Sequence, residues 1–203
     1  MVKGLSIFQD WFKDFENQYV LIGGTAATIT MTEAGLPFRG TKDLDIVLHV
    51  EVLTWEFGQK FWEFVQAGGY QQKEGNAEQT PCLYRFQKPL DDEYYQFVIT
   101  GRKNKYGMPS WVGEDRLIPL KAVAWMEMTE REANGEAIDS KKINKHLADV
   151  VQLSGLLQLG QTIQMVNKLK ADLQAFAKMV VELKKPNQVQ AMHRIAEAYS
   201  INL

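Results

Sequence analysis

Two consecutive glycines, Gly23 and Gly24, constrain the fold of this chain more than any other feature of its sequence. They follow an apolar run at residues 19–22, which predicts a buried strand. They precede an Ala- and Thr-rich stretch at 25–33, which favours a helix with Thr25 near its start. Glycine lets a backbone approach a ligand closely, and a helix N-terminus offers unpaired N–H groups that suit a phosphate. Two glycines before a helix also occur in plain tight turns, so this motif alone leaves both interpretations open.

A second motif follows about twenty residues later, where Asp43 and Asp45 stand two positions apart at the start of an alternating, branched-residue segment. On a strand this spacing places both carboxylates on one face, and like charges side by side favour a bound cation. Mg²⁺ takes carboxylates together with substrate phosphates. Alternatively, Asp43 caps the strand entry and Asp45 is solvated, while the apolar positions 44, 46 and 48 fill the other face.

Together the two motifs resemble the DNA polymerase beta-like nucleotidyltransferase superfamily. The pattern Arg39-x-Thr41-x-Asp43-Leu44-Asp45 looks similar to the minimal, AbiEii-type branch, whose members include bacterial toxins neutralised by an antitoxin. The resemblance covers roughly residues 19–50. It implies a nucleotidyltransferase-like mixed sheet, and transfer of an NMP group from an NTP to an acceptor.

The resemblance also implies the roles of individual residues. Asp43 and Asp45 would hold Mg²⁺ or Mn²⁺ and carry catalysis. The nucleotide would be held by the glycine turn and by basic residues, namely Gly23, Gly24, Thr25, Arg39, Lys42 and Lys121. The acceptor is left open between RNA such as tRNA, a protein and a small molecule, and the branch implies an antitoxin partner.

The resemblance extends into the second half of the chain through charged residues at helical spacing. Lys121 lies on one predicted helix, and Lys145, His146 and Asp149 lie on the next. Residues three or four apart share a helix face, so these last three are neighbours. They would form a rear wall or proton relay of the site. Alternatively, all four belong to charged faces with ordinary ion pairs.

One position departs from the superfamily pattern, which usually places a third carboxylate on a later strand facing the first two. The best candidate strand is 94–100, and alternation makes Gln96 the equivalent position. An amide oxygen can coordinate a metal, but an amide cannot act as a general base. Glu93 or Asp92 would substitute from the preceding turn, or the third acid is missing. A non-catalytic nucleotide sensor and a toxin held by a partner therefore stand beside the enzyme hypothesis.

The remaining periodicity indicates an α+β class, with mixed structure at 1–113 followed by a helical domain at 114–203. Helices are expected at 5–17, 25–33 and 55–67 in the first part. Strands are expected at 19–22, 44–50, 80–87 and 94–100, with a loop at 101–113. The second part should hold helices near 117–133, 140–157, 161–184 and 188–199, broken at Gly135, Gly160 and Pro186. These form a bundle or a homodimer interface. The aromatic residues of 55–67 favour core packing over base stacking.

The composition excludes several classes of protein. The formal net charge is −2, which gives no bulk basic excess for binding a polyanion. The single cysteine, Cys82, allows no intramolecular disulfide and is expected to be a small core residue. No apolar run approaches the roughly 20 residues that span a bilayer. We expect a cytoplasmic protein with no membrane partner.

Overall fold

The structure of the protein is a computed structural model. It describes residues 4–41, 43–49, 51–73, 83–87, 90, 96–100, 112–158 and 160–203, of which 72–73, 83–87 and 96–100 are described by their backbone. Lys42, Cys82, Asp92 and Glu93, as well as the predicted loop over 101–111, lie outside these ranges. The chain divides into two compact units, Met1–Val112 and Gly113–Leu203. The first is mixed α and β and the second is helical, which confirms the α+β class.

The first unit is built on a sheet in which the described strands follow the order β1-β2-β5-β4-β3. The strands are β1 Tyr19–Ile22, β2 Asp43–Leu48, β3 Gln71–Lys73, β4 Leu83–Gln87 and β5 Gln96–Thr100. β2 pairs with β1 antiparallel and with β5 parallel. Because parallel neighbours cannot be joined by a tight hairpin, the connection from β2 to β5 carries the helix α3, Trp55–Ala67, as well as β3 and β4.

One face of this sheet is covered by α1, Leu5–Phe12, and α3. The alternation of β2 buries Leu44 and Ile46 on this face, and the cluster is completed by Leu5, Phe8, Phe12, Tyr19, Leu21, Phe57, Phe61, Phe64 and Val65. Its rings meet edge to face, as in Phe8 and Tyr19 with centroids 5.2 Å apart. The core-packing prediction for the aromatic helix is confirmed for its phenylalanines, whereas Trp55 is 80% exposed.

The predicted helix over 5–17 is wrong in its second half. α1 ends at Phe12, and residues Lys13–Gln18 form a 3₁₀ segment interrupted at Phe15, whose φ of −127° is not helical. The Phe15 ring lies 5.8 Å from that of Phe57 on α3. Phe15 thus leaves helix geometry where its ring packs against α3. A local sequence pattern cannot show such a contact with a distant element.

The second unit contains α4 Glu114–Ala133, α5 Ser140–Leu153, α6 Asn167–Glu182 and α7 Pro186–Tyr199. Two predictions here were wrong. α6 begins at Asn167 rather than near 161, because the Ile163 N–H donates to the Ala198 carbonyl at 2.7 Å, outside any helix. The expected break before α7 lies between Glu182 and Pro186, but α7 begins at Pro186 itself rather than near 188, a position where the missing N–H of proline costs nothing. Within the described residues, no helix is long and apolar enough to cross a membrane.

Candidate functional site

The turn between β1 and α2, Gly23–Glu33, brings a carboxylate against a glycine. Gly23 has a φ of +66°, in the left-handed region that favours glycine. A Cβ at this position would stand 2.0 Å from the Asp45 Oδ2 atom. The sheet register explains this closeness, since Ile22, the last residue of β1, pairs with Asp45. The absence of a side chain at Gly23 is therefore what lets the Asp45 carboxylate lie at the start of α2.

The next glycine faces the segment that leads into β2. A Cβ on Gly24 would stand 2.6 Å from the Thr41 hydroxyl and 3.9 Å from an Nη2 atom of Arg39. The Arg39 guanidinium thus lies beside the first turn of α2, and the residue is half-buried. A helix N-terminus already carries a partial positive charge, and the guanidinium adds a full one. Both positive groups favour the negative charge that the Asp45 carboxylate brings to this end of α2.

Thr25 follows the glycines, and its hydroxyl is directed at β2. Its Oγ1 atom donates a hydrogen bond to the main-chain carbonyl of Asp43 at 2.9 Å, and the residue is fully buried. Thr41 Oγ1 donates to the same carbonyl at 3.4 Å. Thr41 is not among the predicted site residues. A hydroxyl residue two positions before a strand-entry aspartate was the sequence signal that could have identified it.

The two carboxylates share the sheet face opposite the aromatic core. Asp43 and Asp45 are both half-buried, whereas the residues between and after them, Leu44 and Ile46, are buried. The predicted period-two arrangement is thus confirmed. Like charges on one face of a strand are stabilised by a cation that joins them or by positive groups nearby. The positive end of the α2 dipole and the Arg39 guanidinium are such positive groups.

The strand β5 places Gln96 beside Asp43. The parallel register pairs these two positions, and Asp45 pairs with Val98. Neither β1 nor β5 contains an acidic residue. Among the described residues, no group of three or more His, Cys, Asp or Glu side chains is arranged to hold a metal. Two carboxylates nevertheless suit Mg²⁺ or Mn²⁺, because such an ion is commonly held by one or two carboxylates and completed by substrate phosphates and water.

The charged residues predicted for the rear wall all lie in the second unit. Lys121 Nζ on α4 and Asp149 Oδ2 on α5 form an ion pair of 2.8 Å, with only 5% and 1% of the side chains exposed. Lys145 is exposed and His146 is half-buried. The predicted neighbours of Asp149 on its own helix were Lys145 and His146, whereas this ion pair joins α5 to α4. Roles for these four residues in nucleotide binding stay predictions.

A groove of about 440 Å³ lies on the outer surface of α3. It is lined by Trp55, Gly58, Gln59, Trp62, Glu63 and Gln66. The buried side of the same helix packs on Leu44 and Ile46, across the sheet from Asp43 and Asp45. The groove is thus on the other side of the unit from the carboxylates and is not part of their site.

Comparison with known proteins gives similarity at the level of structure. No family model and no curated protein matches the sequence. The structure is similar to the antibiotic-resistance factor ANT(2″)-Ia, with 11% identity, a TM-score of 0.44, and coverage of 89% of this chain and 93% of that one. It is also similar to the Cid1 poly(U) polymerase bound to Mg and 3′-dATP, with 13% identity, a TM-score of 0.37, and coverage of 90% and 67%.

A third similar structure is a cytoplasmic RNA terminal U-transferase, with 10% identity and a TM-score of 0.32. The match covers 82% of this chain but 41% of that protein, so this chain spans less than half of its length.

Proposed function

We propose that the first unit transfers a nucleotidyl group from an NTP to an acceptor hydroxyl with the help of a divalent metal ion. The observation that carries this proposal is the contact between the Asp45 carboxylate and Gly23 at the start of α2. It brings a metal-binding group and a phosphate-binding group to one place. If Gly23 and Gly24 formed only a tight turn, no carboxylate would be expected beside them. If Asp45 were only a solvated residue of the strand entry, no glycine would be expected against its carboxylate.

The chain's residues divide into two roles. The main-chain N–H groups at the start of α2 and the Arg39 guanidinium bind the triphosphate, as oriented dipoles and charge do at other helix N-termini. Asp43 and Asp45 would hold Mg²⁺ or Mn²⁺. Such an ion, when bound, neutralises charge on the phosphate oxygens and makes the acceptor hydroxyl more acidic. In the reaction the acceptor oxygen forms a bond to the α-phosphorus. The bond between the α-phosphorus and the oxygen that bridges to the β-phosphate breaks, and pyrophosphate leaves.

A glutamine at position 96, rather than an acid, limits which groups can accept the proton of the acceptor hydroxyl. An amide can offer its oxygen as a ligand but cannot accept a proton at neutral pH. Asp43 and Asp45 are the only acids on β1, β2 and β5, so on these strands the proton can pass only to one of them. This arrangement also favours a second candidate function, a sensor that binds NTP at the same site without turnover. The AbiEii-type assignment, an antitoxin partner and a homodimer stay predictions from the sequence.

Labelled-nucleotide transfer tests the two functions against each other. The full chain is incubated with each α-labelled NTP, with Mg²⁺ or Mn²⁺, and with tRNA, protein or small hydroxyl acceptors. We expect label transfer that is lost in Asp43→Asn and Asp45→Asn and retained in Asp10→Asn, an exposed carboxylate of α1. NTP binding by calorimetry without any transfer would identify the sensor. If neither binding nor transfer is found, both functions are excluded.

A further inference from the structure

We propose that Thr25 is a positioning residue, which holds the first residue of β2 so that Asp43 and Asp45 face the start of α2. This inference rests on the proposed function. It assigns the Thr25 hydroxyl to the protein backbone, whereas the family resemblance assigns it to the nucleotide. The supporting contact is the 2.9 Å hydrogen bond from Thr25 Oγ1 to the Asp43 carbonyl.

The chemistry of a hydroxyl separates these two roles. A threonine side chain has one hydrogen to donate, and a triphosphate offers only acceptors. The Thr25 hydrogen is donated to Asp43, and the residue is fully buried. Binding a phosphate through this hydroxyl would leave the Asp43 carbonyl without its 2.9 Å donor. The main-chain N–H groups of the same turn are subject to no such conflict.

The sheet register shows why Asp43 needs this contact. The pairing of β1 with β2 stops at Ile22 and Asp45, so Asp43 lies beyond the end of β1. On that side of β2 the chain has already turned into α2. The Thr25 hydroxyl, from the first turn of α2, donates where a strand would otherwise have continued the ladder. It thereby adds a hydrogen bond between the start of α2 and the start of β2, beyond the last pair of the β1–β2 ladder.

Thr41 strengthens the same junction. Its hydroxyl donates to the Asp43 carbonyl at 3.4 Å and lies against Gly24. A carbonyl oxygen has two lone pairs, so it can accept both hydrogen bonds. Three segments, namely the start of α2, the link before β2 and β2 itself, thus meet at one backbone oxygen. Loss of a group that orients a metal ligand commonly lowers metal affinity about 10–100-fold.

The test is Thr25→Val, which keeps the shape of the side chain and removes the hydroxyl. Mn²⁺ binding is measured by electron paramagnetic resonance without nucleotide, and ATP binding is measured in metal-free buffer. We expect the Kd for Mn²⁺ to rise about tenfold or more. The Kd for metal-free ATP should change less than about twofold, because the main-chain donors remain. Thr25→Ser, which restores the hydroxyl, should return the Mn²⁺ affinity toward that of the parent.

Thr30→Val is the matched control. Thr30 lies on the same helix and is 8% exposed, and its Oγ1 has no hydrogen-bond partner among the described residues. The same substitution there should leave Mn²⁺ binding unchanged. The positioning role is overturned if Thr25→Val raises the Kd for ATP and leaves that for Mn²⁺ unchanged, or if Thr30→Val weakens Mn²⁺ binding equally in a folded protein.

Failure of this inference can be told apart from failure of the proposed function. A parent protein that binds Mn²⁺ through Asp45, as shown by loss in Asp45→Asn, but transfers no label is not a transferase. The effect of Thr25→Val on Mn²⁺ affinity then still decides the positioning role. A parent that binds no Mn²⁺ overturns both.

Discussion

At the scale of single residues, Gly23 meets two requirements that only glycine satisfies together. Its backbone is left-handed, with a φ of +66°, and its Cα faces the Asp45 carboxylate so closely that a Cβ would overlap Oδ2. Gly35 has nearly the same backbone, with a φ of +70°, but nothing lies within 4 Å of the place a Cβ would occupy. Comparing the same substitution at Gly23 and at Gly35 therefore separates the cost of backbone strain from the cost of the contact with Asp45.

We expect Gly23→Ala to destabilise the protein more than Gly35→Ala. Both substitutions carry the roughly 1–2 kcal/mol cost of a left-handed non-glycine residue. Only Gly23→Ala must also move Asp45, so only this variant should lose Mn²⁺ affinity. Urea unfolding gives the two free energies of unfolding, and electron paramagnetic resonance gives the metal affinity. Equal losses of stability with unchanged Mn²⁺ binding would contradict the contact between Gly23 and Asp45.

At the scale of elements, α4 contains a proline whose effect is offset by another helix. Pro119 has no N–H, so the carbonyl four residues earlier, that of Asp115, cannot receive its usual helical hydrogen bond. The Tyr199 hydroxyl, at the end of α7, donates to the Asp115 carbonyl at 2.8 Å. Tyr199 is 1% exposed. One residue thus replaces the hydrogen bond that proline removed and joins two helices.

Replacing Tyr199 with phenylalanine should lower the free energy of unfolding of the second unit by about 1–3 kcal/mol, the cost of a buried acceptor left unpaired. The control is Pro119→Ala, which supplies an N–H to the Asp115 carbonyl. In that background Tyr199→Phe should cost less. Chemical denaturation of the four proteins in this cycle measures the coupling. Additive losses would show that the hydroxyl does not substitute for the missing N–H.

A second prediction about packed helices concerns the buried ion pair of Lys121 on α4 with Asp149 on α5. Lys121→Met removes the cation 2.8 Å from a carboxylate that is 1% exposed, so we expect a loss of about 3–5 kcal/mol. Changing both residues, as Lys121→Met with Asp149→Leu, should recover most of that loss. Arg131→Met, which breaks an exposed pair with Glu136, should cost much less. Thermal unfolding followed by circular dichroism compares the variants.

This comparison also bears on the predicted role of Lys121 in binding the triphosphate. If the double variant is as stable as the parent and binds NTP equally well, then the pair serves the packing of α4 and α5. Stability that is restored while NTP affinity is lost would support the role in binding. A single Lys121→Met variant as stable as the parent would contradict the buried ion pair itself.

At the scale of the whole molecule, each unit holds a buried tyrosine that resists ionisation. Burial, with a smaller contribution from Glu16, raises the pKa of Tyr19 from 10.0 to about 12. Burial, together with the charges of Asp115 and Glu114, also raises the pKa of Tyr199. In both cases folding favours the neutral phenol. The stabilisation is fully present below pH 10 and is lost as the pH rises through the folded-state pKa.

The free energy of unfolding should therefore fall between pH 10 and 12. The unfolded chain ionises there while the folded tyrosines stay neutral, at up to about 1.4 kcal/mol per pH unit for each tyrosine. Tyr19→Phe should make the fall less steep for the first unit, and Tyr199→Phe for the second. Urea unfolding at a series of pH values measures both slopes. Slopes that are the same in the variants and in the parent would contradict this origin.

The local pattern of the sequence was sufficient for several elements. A period of two along β2 predicted the shared face of Asp43 and Asp45, and the aromatic run predicted α3 at the residues where the structure has it. The lack of strand signals after about Leu117, with breaks at turn residues, predicted a helical second half. These features depend on neighbours within a few positions, so a sequence determines them directly. The same alternation also gave Gln96 as the position beside Asp43.

Contacts between distant residues were decided only by the tertiary structure. The short polar strand β3, Gln71–Lys73, has no apolar alternation and exists through pairing with β4. The hydroxyl of Thr25 finds its acceptor 18 positions away, and Lys121 finds its partner 28 positions away. Such partners depend on which distant segments of the chain pack together, and the periodicity of the sequence does not encode this. The sequence alone therefore predicted candidate site residues such as Gly23, Asp43 and Asp45, and the tertiary structure decided which atoms meet and added Thr41 to them.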